Sequence, residues 1–156
     1  MEGKLNFLFA ILAVVLIAWV ALMTYSCSSP ATPTYLKARI SLDDAITQAD
    51  QNDKVVFALF SEEGNDACSK YKRRALADAH VVQWIAANAR PVQIDMTKAA
   101  SGDLEAAAIA TRYEIATCPT VILLRKGREL GRLEGEVPAK DLLKWLTDHA
   151  AATPKG

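Results

Sequence analysis

The chain has 156 residues, 18 Lys+Arg against 18 Asp+Glu, and 51% apolar residues. Charge parity offers no basic field to grip a phosphate backbone, so no nucleic-acid partner is expected. Its three cysteines, Cys27, Cys68 and Cys118, are too few for a disulfide scaffold and lack zinc-finger spacing, so neither metal nor cofactor is expected.

Leu5 to Tyr25 carries no charge, and Phe7 to Met23 is unbroken apolar sequence. About 20 helical residues cross a ~30 Å hydrocarbon core, so residues 5–25 are expected to form a single transmembrane anchor. Trp19 and Tyr25 suit the distal interface. A cleaved signal peptide and a lipoprotein acylated at Cys27 are the alternatives, although Tyr25 fits a lipoprotein site poorly. Lys4 precedes the span and nothing basic follows until Lys37. Residues 1–4 are therefore expected as a cytoplasmic tip, with the domain on the outer, periplasmic or extracytoplasmic side. Residues 26–34, SCSSPATPT, read as a small polar linker. Cys27 within it is either incidental, acylated or available for an intermolecular bridge.

Residues 35–150 carry the pattern of one α/β domain, and 151–156 a frayed tail. Tyr35 to Ile40 can pair as an edge strand. Ser41 is placed to cap an amphipathic helix ending near Asp53, with Asp43 and Asp44 in its first turn. Val55 to Phe60 is a short run of β-formers, the pattern of a strand buried on both faces. A polar turn, SEEGND, leads to Cys68 and a charged helix; a helix N-terminus stabilises thiolate. Ala77-Asp78 can cap a second helix whose inner face is Val81, Trp84 and Ile85. Pro91 to Met96 reads as a strand ending at Asp95. Gly102 to Ile115 reads as an Ala-rich helix with Leu104, Ala108 and Tyr113 inward. Val121 to Leu124, a turn at Lys126-Gly127 and Glu129 to Leu133 form a hairpin. Pro138 opens a closing helix with Leu142, Leu143, Trp145 and Leu146 on its apolar face.

Phe60 lies eight residues before Cys68, and Tyr113 to Thr120 reads aromatic, x, Ile, x, x, x, Pro, Thr. On these residues the chain resembles the thioredoxin superfamily. Tyr71, Leu76, Asp78, Val81 and Ile85, at +3, +8, +10, +13 and +17 from Cys68, resemble the C-terminal thioredoxin-like domain of DsbD-type thiol carriers. The likeness spans about Val55 to Leu146, with Gly135 matching a glycine near the last strand's end. It implies a thioredoxin-like fold, a central mixed sheet flanked by helices, with Pro119 cis and its loop against the active-site turn. It also implies a Cys-x-x-Cys whose first cysteine falls at position 65. This chain has Asn65 there, preceded by Gly64 where the family has Trp, so the motif reads Asn65-Asp66-Ala67-Cys68.

A dithiol cycle between 65 and 68 is therefore impossible. Cys68 takes the resolving position, and Cys118 immediately precedes the proline that the resemblance makes cis. The loop implied by the family would bring these two thiols together. Cys68 as a small core residue, a structural or redox-active Cys68–Cys118 bridge, and a two-thiolate metal site all remain open. Neither His80 nor His149 supports the last. Glu62, Glu63 and Asp66 put negative charge at the turn, which disfavours thiolate. The expected site is Cys68 and Cys118 as thiols, with Asn65, Asp66, Thr117 and Pro119 facing a protein partner. Two functions follow: a non-standard thiol–disulfide or partner-handling protein of the cell envelope, or a redox-silent module that binds a partner or builds a membrane complex.

Overall fold

A computed structural model describes residues 33–37 and 40–151. The expected tip, the anchor at 5–25, Cys27 with most of the linker, and nearly all of the tail lie outside the described residues.

The chain folds as an α/β domain around a four-stranded mixed sheet of order β2-β1-β3-β4. Strand β1 (Val55–Ser61) is central because every one of its residues is apolar enough, or small enough, to lie buried on either face. It pairs in parallel with β2 (Ala89–Asp95) and antiparallel with β3 (Thr120–Arg125), which continues as a hairpin into β4 (Arg128–Glu134). Side chains alternate across the sheet. Val55, Phe57 and Leu59 join Tyr71, Leu76, Val81, Ile85, Leu142 and Leu146 in one core layer. Val56, Ala58 and Phe60 join Leu42, Ala45, Val92, Ile94 and Tyr113 in the other.

Six helices complete these layers: α1 (Leu42–Gln51), α2 (Asp66–Arg73), α3 (Ala79–Asn88), α4 (Met96–Ala100), α5 (Leu104–Arg112) and α6 (Ala139–Ala150). Most begin at a side-chain cap that accepts orphan amide protons. Ser41 accepts from the Asp44 N–H, and Asp78 from the His80 and Val81 N–H groups.

Three expectations are corrected. The edge strand expected over Tyr35 to Ile40 is not found at its described start, where Thr34–Leu36 is a 3-10 turn instead. Leu36 is buried in the first layer, and the Tyr35 hydroxyl donates to the Leu76 carbonyl at 2.8 Å. Side-chain anchoring has replaced ladder pairing there. The helix expected over 102–115 runs only from Leu104 to Arg112. Gly102 at φ 98° stops the preceding turn, and Asp103 starts the helix by accepting the Glu105 and Ala106 N–H groups. That start turns Ala106 and Tyr113 inward and leaves Leu104 84% exposed, with Ala108 also at the surface. Finally, β2 begins at Ala89 and stops at Asp95. Asp95 accepts the Thr97 N–H and so opens α4, a helix the sequence pattern did not reveal.

Candidate functional site

The site grows from the C-terminal end of β1, where the chain leaves the core and turns into α2. Asn65 is the N-cap of α2, and its Oδ1 accepts the Cys68 N–H at 3.2 Å. Its Nδ2 donates to Glu62 Oε2 at 3.2 Å, which ties the two ends of the turn. The Glu62 N–H donates to Cys68 Sγ at 3.4 Å, and the Glu63 N–H to Thr97 Oγ1 at 2.8 Å. Asp66 pairs with Lys70 one helical turn on, at 2.7 Å. That Lys70 hydrogen bond and charge hold the Asp66 carboxyl below its ordinary range.

The facing loop enters β3. The Cys118–Pro119 peptide is cis. Thr120 Oγ1 donates to the Thr117 carbonyl at 2.7 Å, and the Gly135 N–H donates to the Pro119 carbonyl at 2.8 Å. Thr117 is exposed, Cys118 half-buried and Pro119 buried. The β1/β3 ladder ends at the Phe60–Thr120 pair. Glu62 follows Phe60 by two residues, and Cys118 precedes Thr120 by two in the loop that enters β3.

Cys68 and Cys118 are both free, and Cys68 is 1% exposed. Burial first, then the neighbouring Cys68 and Glu62, pushes the Cys118 thiol up to about 11. At neutral pH it is overwhelmingly protonated, and a thiol is a poor nucleophile in that form. The negative charge foreseen at the turn thus reaches Cys118 through Glu62, whereas Asp66 is held by Lys70. Among the described residues, no three His, Cys, Asp or Glu side chains gather as a metal site. Sequence reasoning missed Thr97 as a support of the turn and Asn65 as a helix cap. The second had a visible signal, Asn three residues before the amide it satisfies.

A helix opening at the end of a central strand, faced by a cis-proline loop on the neighbouring strand, is the layout of a thioredoxin fold. The chain belongs to the thioredoxin-like domain family, which matches residues 42–150. Solved structures agree on the fold. A thioredoxin from Thermus thermophilus superposes with a TM-score of 0.62 at 23% identity, over 71% of this chain and 85% of its own. The oxidoreductase DsbH gives 0.64 at 13% identity, over 80% and 90%. The reduced C-terminal domain of Neisseria meningitidis DsbD gives 0.60 at 24% identity, over 69% and 93%. No curated protein sequence matches the chain.

Proposed function

We propose that this chain is a membrane-tethered thioredoxin-fold protein of the cell envelope that handles a protein partner between the 62–68 turn and the 117–119 loop. Its tether is the uncharged stretch 5–25. It does not run the two-thiol cycle of a thioredoxin. The observation that carries this is Asn65, which stands at the attacking position and uses its carbonyl oxygen to cap α2. Cys68 and Cys118 are the thiols left for any exchange, and the exposed Thr117 and Asp66 form the face offered to a partner, whereas Pro119, expected on that face, is buried. A redox-silent binding module is the second reading. It is favoured by the burial of Cys68 and the high-lying thiol of Cys118.

Two measurements test the proposal. Insulin-disulfide reduction by the wild type should stay near background, and Asn65→Cys should raise it well above that level. Wild-type turnover equal to a dithiol thioredoxin would overturn the assignment of the frame. The full-length protein should also stay with membranes through carbonate extraction, and its recovery intact in the soluble fraction would overturn the tether.

A further inference from the structure

Charge parity over the whole chain conceals a local imbalance. From Ala67 to Ile94 the sequence carries Lys70, Lys72, Arg73, Arg74 and Arg90 against a single acid, Asp78. The first four of these cations crowd the end of α2. Lys70 is paired with Asp66, and Asp78 is occupied in capping α3. Among the described residues, Lys72, Arg73 and Arg74 have no acidic partner within salt-bridge reach, and Arg73 and Arg74 are exposed. One cation in the last turn complements the α2 C-terminus, and the others need a different account. The cluster also marks where the chain enters the domain. Pro33 is buried, the Tyr35 hydroxyl donates to the Leu76 carbonyl at 2.8 Å, and Leu36 packs in one layer with Ala75 and Leu76. Lys37, exposed at the end of that turn, adds a further cation. The entry is thus pinned just beyond Arg74 in the chain. Residues 26–32 separate it from the expected anchor, a reach of at most about 25 Å.

We propose that the face carrying Lys37, Lys72, Arg73 and Arg74 docks on the anionic phospholipid headgroups of the membrane that holds the anchor. This rests on the tether of the proposed function and adds a second contact to it. Each Lys or Arg beside an anionic surface favours binding about fivefold. The tether makes the encounter intramolecular, at an effective concentration on the order of millimolar. Charge alone then suffices, with no apolar side chain inserted into the bilayer. The same helix that ends in the cluster opens at Asn65 and Cys68. It has eight residues, about 12 Å of helix, so docking keeps the 62–68 turn near the headgroups and the partner is met at the membrane surface.

The full-length protein is reconstituted into vesicles of phosphatidylcholine alone, or of phosphatidylcholine and phosphatidylglycerol in equal parts. Its lysines are acylated with a membrane-impermeant reagent and read by mass spectrometry, with the exposed Lys98 and Lys126 as internal references. Acylation of Lys37 and Lys72 relative to those two should fall about fivefold in the mixed vesicles. It should recover in molar salt, which shortens the reach of charge to about 3 Å. Arg73→Gln with Arg74→Gln should remove most of that protection, and Arg73→Lys with Arg74→Lys should keep it, with urea midpoints checking that both double variants fold. Equal acylation of the wild type in the two kinds of vesicle overturns the proposal, and protection that then appears only with added polyglutamate assigns the face to an acidic protein instead. Protection that survives both Gln substitutions overturns it too. Flotation judges the tether separately, because a tethered protein rises with phosphatidylcholine vesicles in molar salt whether or not the cluster docks.

Discussion

Asn65 holds the start of α2 with its own side chain. A helix N-terminus presents unpaired amides that would stabilise an anion, and the Asn65 oxygen takes one of them, the Cys68 N–H, for itself. Asn65→Ala should therefore lower stability by about 1 kcal/mol, while Asn65→Ser stays near wild type; urea midpoints compare them. Cys118 carries a pH signature. Its thiol has an ordinary value of 9.0 and sits in the fold at about 11. Alkylation of native Cys118 should thus accelerate about tenfold per pH unit from neutral towards that value. The unfolded chain releases this proton first, so the contribution to stability is whole below about pH 9 and is lost on rising through about 11. A flat alkylation profile across that range would refute the burial of Cys118. The polar turn after the apolar run made a helix opening before Cys68 legible. The Glu63–Thr97 hydrogen bond was not, because it joins residues from two separate elements and leaves no local pattern.

Among the elements, those with a continuous apolar period and a cap were legible, and those decided by tertiary contact were not. β1 and α3 announced themselves, the first by an unbroken apolar run and the second by Asp78. Tyr35 and Ile40 are β-formers, yet the core took Tyr35 and Leu36 individually, in a 3-10 turn rather than a ladder. The helix at 104–112 was misphased because Ala sits on all its faces, so no period marks the inward one. On β4, Gly131 is required by its neighbour. A Cβ there would fall 2.4 Å from His149 Cδ2. That ring lies against Trp145 with centroids 4.8 Å apart, and its Nδ1 is 2.9 Å from the Trp145 carbonyl oxygen. Gly131→Ala should cost about 1–3 kcal/mol by overpacking. His149→Ala in the same chain should recover much of that loss, so thermal unfolding of the two single variants and the double variant should show strong coupling. Additive losses would place the strain elsewhere.

For the molecule as a whole, the layered α/β architecture was readable from the alternation of apolar strands and amphipathic helices, and the thioredoxin frame from Phe60, Cys68 and Pro119. The working chemistry was less so, because it depends on which loops face each other across the sheet's end. The central place of β1 also bears on how the chain is made. During synthesis this strand of seven buried residues emerges well before its antiparallel partner, since Phe60 must wait for Thr120. Until then VVFALF is a bare segment with the composition of a self-associating strand. Asp53 and Lys54 on one side, and Glu62 and Glu63 on the other, bracket it with charge, the usual guard against such pairing. Glu63→Gln should therefore leave the urea midpoint nearly unchanged yet lower the refolding yield and raise light scattering at micromolar concentration. Equal scattering from both proteins would rule that guard out. The acidic turn then has two duties separated in time, shielding the nascent strand first and tying down the start of α2 through Glu62 afterwards.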